Sequence, residues 1–398
     1  MSDRKIVLEK IDQAVQILQE KDIDLWLTFV RETSHMHDPS LSLVLSPVLQ
    51  MTWHSAFIIT RQGQRIALVG RYDVENVAQT GAYPEVIGYD QSIRQPLVET
   101  LHRLKPRCIA INYSENDSAA DGLTHGMWTQ LFRLLEGTPY AACFISAEDV
   151  IAALRGRKTK SEVERVKAAV KTTLEIFGEV TRFLRPGLRE IDIRDFMYDR
   201  LADRELSTAW EMEFCPIVNA HPSSPIGHGA PGDNRTERGH TLQIDFGVIQ
   251  DGFVSDLQRM WYFLDKGETK PPAEVQKAFD TVRGAILSAA EVLKPGVLGW
   301  EVDQAARSVV VKAGYPEYQH ATGHHVGRTV HDGASTLGPR WERYGDTPNM
   351  EVEAGNIFTL ELGVQVPQRG YVSLEEDVLV TSNGVEWLST PQTELWCV

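Results

Sequence analysis

The sequence predicts an α/β domain over residues 1–153 joined to an α+β domain over residues 154–398 that contains an internal pseudo-two-fold repeat. Three observations lead to this division. At 398 residues the chain exceeds the size at which a single hydrophobic core keeps growing. Its first part alternates short apolar runs with helical and turn-rich segments, the pattern of a sheet layered with helices. In its second part, the Pro-Gly at 186–187, the Gly-His at 227–228 and an acid-bearing apolar run are answered in the same order by a second set.

Residues 5–22 carry Ile6, Ile11, Val15 and Leu18 at helical spacing and predict an amphipathic helix. The runs Asp24–Val30, Ser55–Thr60, Arg65–Gly70 and Cys108–Asn112 predict strands, with Arg61-Gln62-Gly63-Gln64 turning the chain between two of them. This part contains no Gly-rich phosphate loop, dinucleotide fingerprint or nucleophile elbow. His35, His37 and Asp38 lie close together in a polar loop, read as a turn that Asp38-Pro39 initiates. A helical pattern from Ala147 to Leu184 is broken by Arg-Gly-Arg-Lys-Thr-Lys-Ser, which places the domain boundary. Ser161 and Glu164 then predict a capping box that starts a new helix.

Beyond that break, Phe183–Leu201 is matched by Val292–Val310: a helix end, a basic residue, Pro-Gly and a fresh amphipathic helix. Pro186 and Pro295 are 109 residues apart, Asp245 and Glu361 are 116 apart, and Gly-His-Gly at 227–229 is answered by Gly-His-His at 323–325. Three features recurring in the same order, at offsets of 109, 96 and 116 residues, predict a duplicated unit whose copies face one another.

Net charge of −15, from 40 Lys+Arg against 55 Asp+Glu, argues against nucleic acid or an anionic membrane as the main partner. No segment approaches the roughly 18 unbroken apolar residues of a membrane span, and charges occupy the N-terminus where a secretory apolar region would sit, so a cytoplasmic protein is expected. Cys108, Cys143, Cys215 and Cys397 are too widely spaced for a zinc knuckle or redox pair and read as reduced structural residues.

The stretch Thr241–Asp256 sets Asp245 and Asp256 in an apolar, β-branched context without an evident cationic partner. Its echo, Phe358–Thr381, carries Glu361 and then Glu375, Glu376 and Asp377, of which strand alternation sends Glu375 and Asp377 to one face and Glu376 to the other. If the two copies face each other, four acids converge. Two unit charges about 4 Å apart repel by roughly 1 kcal/mol in water and several-fold more in an interior, so such a group requires cations. Carboxylates with an imidazole suit Mn²⁺, Fe²⁺, Co²⁺ or Zn²⁺, and four carboxylates can bridge two ions that clamp a water and polarise a carbonyl. Histidines are at hand in the Gly-rich run His320–Gly333, which contains His320, His324, His325 and His331; one can bind metal and others can hydrogen-bond a carbonyl or oxyanion.

With these residues in place, the sequence resembles the pita-bread metallopeptidases (methionine aminopeptidase, aminopeptidase P, prolidase and the non-metal relative creatinase). It is most similar to the creatinase, aminopeptidase P and prolidase branch, which also has an N-terminal α/β domain, so the resemblance spans the whole chain. It implies a pita-bread catalytic domain over residues 154–398 and five metal ligands: Asp245, Asp256, His324, Glu361 and Glu375. Asp256 and Glu375 would bridge two ions, Asp245 serving one and His324 with Glu361 the other. Glu361 would be the general base toward a metal-bridging hydroxide, His228 would contact the scissile amide or leaving group, His331 would stabilise the tetrahedral intermediate, and His320 would line the pocket. His325 is assigned to packing behind the site.

The resemblance therefore implies an Xaa-Pro dipeptidase or aminopeptidase that uses two divalent ions, Mn²⁺ first with Co²⁺, Zn²⁺ or Fe²⁺ as alternatives. Its substrate would be a peptide or small-molecule amide and its assembly a homodimer. A non-peptidase enzyme on the same fold acting on a small metabolite, or a non-catalytic binding module, are the competing readings. The chain departs from the family pattern at two positions. Leu362 replaces the proline of Glu-Pro-Gly, and Ser373 stands where Xaa-Pro-cleaving members commonly have arginine, leaving Arg369 as the candidate clamp for a substrate carboxylate.

Overall fold

The computed structural model describes residues 2–398 other than Pro47, Val48, Pro225, Ile226 and His228. Its contacts divide the chain into two units, Met1–Arg155 and Gly156–Val398.

In the first unit, helix α1 (Ser2–Glu20) buries Ile6, Val7, Ile11, Ala14, Ile17 and Leu18 along one stripe. The chain continues through β1 (Leu25–Val30), α2 (Leu41–Val44), β2 (Ser55–Thr60), β3 (Arg65–Gly70), α3 (Val74–Thr80), β4 (Glu85–Tyr89), α4 (Arg94–Leu104), β5 (Ile109–Ile111), α5 (His125–Leu134), β6 (Phe144–Ser146) and α6 (Glu148–Gly156). The strands form one mixed sheet in the order β4-β3-β2-β1-β5-β6. Both of its faces are covered: Trp26 and Phe57 pack with Ile11 and Leu18 of α1, while Leu25, Leu27 and Ile58 pack with Leu97, Leu101, Met127 and Leu131 of α4 and α5. This explains why β1 and β2 are buried at every residue and read as continuous apolar runs. Strands β4 and β6, which sequence reading omitted, are mostly half-covered and show no such run. The loop before α2 is a structural turn. Asp38 is buried, its Oδ1 accepts the amides of Ser40 (2.9 Å) and Leu41 (3.1 Å), and its Oδ2 accepts from Asn112 Nδ2 (2.8 Å).

The second unit opens with α7 (Lys160–Phe183). Its capping box is Thr159 with Glu162, two residues before the predicted pair: the Thr159 hydroxyl accepts the Glu162 amide (3.3 Å) and the Glu162 carboxylate accepts the Thr159 amide (2.9 Å). The two motifs overlap in sequence. The Lys158 amide, tied to the Gly355 carbonyl at 2.9 Å, holds the preceding chain so that the earlier box forms.

Next come α8 (Glu190–Ala202), β7 (Ser207–Thr208), β8 (Ile217–Asn219), β9 (Thr241–Phe246), β10 (Val248–Gln250), β11 (Phe253–Val254) and β12 (Leu257–Tyr262). The connection between Asp245 and Asp256 is therefore a kinked hairpin. At Gly247 the chain leaves the main sheet, makes the small β11-β10-β7 sheet around Asp251-Gly252 (φ of 51° and 75°), and returns as β12. Gly247 is required for this route, because a Cβ there would lie 1.9 Å from the Ser255 carbonyl oxygen.

The second helix pair, α9 (Ala273–Val292) and α10 (Gly299–Lys312), is followed by β13 (Ile357–Val366), β14 (Gly370–Val380), β15 (Val385–Trp387) and β16 (Trp396–Cys397). The main sheet runs β13-β14-β12-β9-β8, antiparallel throughout, with β15 added to β14 and β16 to β12. One face is covered by the helices. Phe177 of α7 meets Phe246 and Trp261, each with ring centroids 6.0 Å apart, and α9 residues Val275, Phe279 and Val282 share a core with Leu360, Leu362 and Leu374. Among the described residues no helix is long and apolar enough to cross a membrane.

Candidate metal centre

The opposite face of the main sheet carries the acids. Strand register aligns Asp245 on β9 with Gln258 on β12, Gln258 with Glu375 on β14, and Glu375 with Glu361 on β13, so four side chains form one row across four strands. Directly paired residues project to the same side of a sheet, and neighbouring strands lie about 4.8 Å apart. Asp256, two residues before Gln258, joins the same side by alternation.

His324 reaches the row from a loop that runs along the free edge of β13. The Thr359 amide bonds the His324 carbonyl (2.9 Å), the Glu361 amide bonds the Thr322 carbonyl (2.7 Å), and the Thr359 hydroxyl accepts the His324 amide (3.2 Å). These bonds place His324 Nε2 3.6 Å from Glu361 Oε1, 3.8 Å from Asp256 Oδ2 and 4.0 Å from Glu375 Oε1. One ligand atom from each of Asp256, His324 and Glu375 falls within 4.8 Å of the others.

The electrostatics of this group call for a cation. Burial, then the Glu361 charge, pushes the Asp245 carboxyl up to about 8. Burial, then neighbouring carboxylates, holds Asp256 and Glu375 well above the ordinary carboxylate range. Asp245 Oδ1 is buried and has no hydrogen-bond partner. His324 Nδ1 lies 3.3 Å from the His325 carbonyl; a carbonyl only accepts, so Nδ1 carries the proton and Nε2 turns a lone pair toward three carboxylates. Oxygen donors with one correctly oriented imidazole are a fitting shell for hard-to-borderline divalent ions.

Two surrounding residues order this shell. Gln258 donates its amide to Glu375 Oε2 (3.0 Å) and Glu361 Oε2 (3.3 Å), while its own Oε1 is held by Gln243 Nε2 (3.1 Å) and by the Ser373 hydroxyl. Asp377 Oδ2 accepts the Asp256 amide (3.2 Å), fixing the backbone of that residue. Glu376, on the other face, pairs with buried Arg259 (2.9 Å) and with Ser389. Sequence reading passed over Gln258 although the signal was there, since period two puts residue 258 on the side of residue 256. It also did not anticipate that Ser373 would serve Gln258.

The remaining sequence-predicted residues fall at different places. His331 is exposed and stands edge-on to His324, ring centroids 4.5 Å apart. His320 is half-buried beside Tyr318 (5.1 Å), its Nδ1 2.8 Å from the Ala321 carbonyl. His325 is buried against Phe358 (4.1 Å), with Nε2 3.0 Å from Ser335 Oγ. His228 lies outside the described residues. The expectation for Arg369 is corrected: it sits in the β13–β14 turn with Nε 3.3 Å from Glu274 and Nη1 3.0 Å from the Gly239 carbonyl. Its strand neighbour Val366 is five residues from Glu361, roughly 17 Å along β13, so it cannot clamp a substrate held at the acids.

Comparison with known proteins adds three findings. The sequence model of metallopeptidase family M24 matches residues 164–382. An uncharacterized peptidase of Staphylococcus saprophyticus is 28% identical over 388 residues, covering 96% of this chain and 99% of the relative. Among solved structures, the fold is similar to an Xaa-Pro dipeptidase from Bacillus anthracis (TM-score 0.73, 22% identity, 98% of this chain and 100% of that one) and to an X-Pro aminopeptidase from Thermotoga maritima (TM-score 0.72, 22% identity, 98% and 99%).

Proposed function

Starting from a chain that belongs to metallopeptidase family M24 and is thus a metal-dependent peptidase, we propose that it hydrolyses the amide bond between an N-terminal residue and a following proline. The substrate is an Xaa-Pro dipeptide or a short peptide beginning Xaa-Pro. The observation that carries this reading is the row Asp245–Gln258–Glu375–Glu361, closed by Asp256 and His324.

In this reading Asp245, Asp256, His324, Glu361 and Glu375 would together hold two divalent ions, Mn²⁺ first. Such ions supply Lewis acidity that activates a water and polarises the scissile carbonyl. Glu361, partly exposed and steadied by Gln258, accepts the proton of the attacking water and passes it to the leaving amine. His331 donates a hydrogen bond to the oxyanion from its place beside His324, His320 lines the pocket, and His228 contacts the scissile amide. Asp377 and Gln258 position these groups without touching substrate. The protein acts as a homodimer in the cytoplasm.

The test is a panel of Xaa-Pro dipeptides, longer Xaa-Pro peptides and N-terminal Met peptides, each assayed after metal removal and reloading with Mn²⁺, Co²⁺ or Zn²⁺. Cleavage confined to Xaa-Pro substrates and restored best by Mn²⁺ supports the proposal. No Xaa-Pro cleavage with any ion, together with turnover of a small non-peptide amide, would replace it with the metabolite reading.

A further inference from the structure

Away from the acid row, His221, Glu237 and His240 converge. One ligand atom from each lies within 4.8 Å of the other two. His221 follows β8 and His240 immediately precedes β9, so the three residues bring together the two ends of the connection between those strands. His240 is five residues before Asp245, roughly 16 Å along the strand, and belongs to neither the row nor its supporting residues.

We propose that His221, Glu237 and His240 form a second metal site in this chain, which takes one Zn²⁺ or similar borderline ion. His240 Nδ1 is buried, has no hydrogen-bond partner, and lies 3.9 Å from Glu237 Oε2. A buried imidazole nitrogen left without a partner is unfavourable, and an ion between it and the carboxylate satisfies both. The two imidazole rings stand edge to face, 5.1 Å apart at 83°. His221 Nδ1 is engaged by Ser223, whose hydroxyl lies at 2.6 Å and whose amide lies at 3.2 Å. The Ser223 amide donates to Nδ1, and this pair of contacts fixes the orientation of the His221 ring. Burial, then the neighbouring His221, holds His240 below the ordinary imidazole range, so its ring is neutral as ligation requires. The nearby Arg369 guanidinium is occupied by Glu274 and the Gly239 carbonyl. Two imidazoles and one carboxylate, with water as fourth ligand, match the tetrahedral preference of zinc.

The untagged chain, stripped of metal and re-equilibrated with Zn²⁺, is passed through gel filtration and its metal-to-protein ratio measured. Wild type should hold one more ion per chain than H221A/H240A, whose turnover when reloaded should match wild type. Equal ratios would overturn the site. A D256N/E375Q chain, disabled at the acid row, should still bind one Co²⁺ with the intense visible bands of tetrahedral coordination, and E237Q in that background should weaken the binding at least tenfold. Absence of those bands, or bands indifferent to E237Q, would also overturn it. Because this arm reads binding in a chain without the acid centre, it stands or falls apart from the peptidase proposal.

Discussion

Gln258 is a neutral side chain whose amide donates to two neighbouring carboxylates, Glu361 and Glu375. Its amide is anchored from behind by Gln243, which in turn accepts from Asn219 Nδ2 at 2.6 Å, so a chain of amides runs across three strands to the acids. Removing an outer partner of this kind typically lowers metal affinity by 10–100-fold. Gln258→Ala should therefore weaken Mn²⁺ binding by about that factor, measured by calorimetric titration, with little change in the circular dichroism of the fold. Asp256 makes the converse case. Its carboxyl is held well above the usual range, so above pH 4 or so the metal-free fold carries a penalty that a neutral isostere lacks. Asp256→Asn should raise metal-free stability at pH 8 by roughly 1–3 kcal/mol in denaturant melts while abolishing metal-dependent activity. The acids were legible because they recur in two matched stretches. Gln258 was not read because glutamine has no charge to demand a partner, and its meaning depends on strand register. Arg369 was misplaced for a related reason: residue count along a hairpin says which turn a side chain occupies only when both strands' lengths are known.

At the scale of elements, the site depends on how β9 and β12 are joined. Gly247 lets the chain pass the Ser255 carbonyl and return with Asp256 beside Asp245's row. Gly247→Ala should cost roughly 2–3 kcal/mol through overpacking and should weaken metal binding in the same titration, because relief of the clash moves the segment carrying Asp256. Sequence reading recovered the elements with strong patterns: α1, the buried strands β1 to β3, and the helices α8 and α10 after Pro186-Gly187 and Pro295-Gly296. It missed β4 and β6, whose partial cover leaves no apolar run, and it placed the start of α7 two residues late because two capping motifs overlap. The kink at Gly247 was also unread, since a Gly between two β-branched runs is compatible with an unbroken strand.

The whole second unit is a compromise between folding and a concentrated negative charge. Two carboxylates about 4 Å apart at an effective dielectric of 20 repel by roughly 4 kcal/mol, a sizeable share of a domain's net stability. Asp245 shows the sign of the pH effect. Its folded value of about 8 lies above the unfolded value near 3.9, so its contribution to stability is fully present below about pH 4 and is lost as pH rises toward 8. The gap in melting temperature between metal-loaded and metal-free protein should accordingly widen from pH 5 to pH 8; a constant gap would show that the acids are not mutually destabilising. The two-copy organisation was legible from the repeated order of its motifs, whereas the face on which the acids meet required the sheet order. The central claim is that Asp245, Asp256, His324, Glu361 and Glu375 together hold the catalytic ions. Anomalous diffraction from a crystal soaked in Mn²⁺ tests it most directly: the account predicts two peaks, each within about 2.3 Å of ligand atoms from this set, and a map with no peak among these five side chains would contradict it.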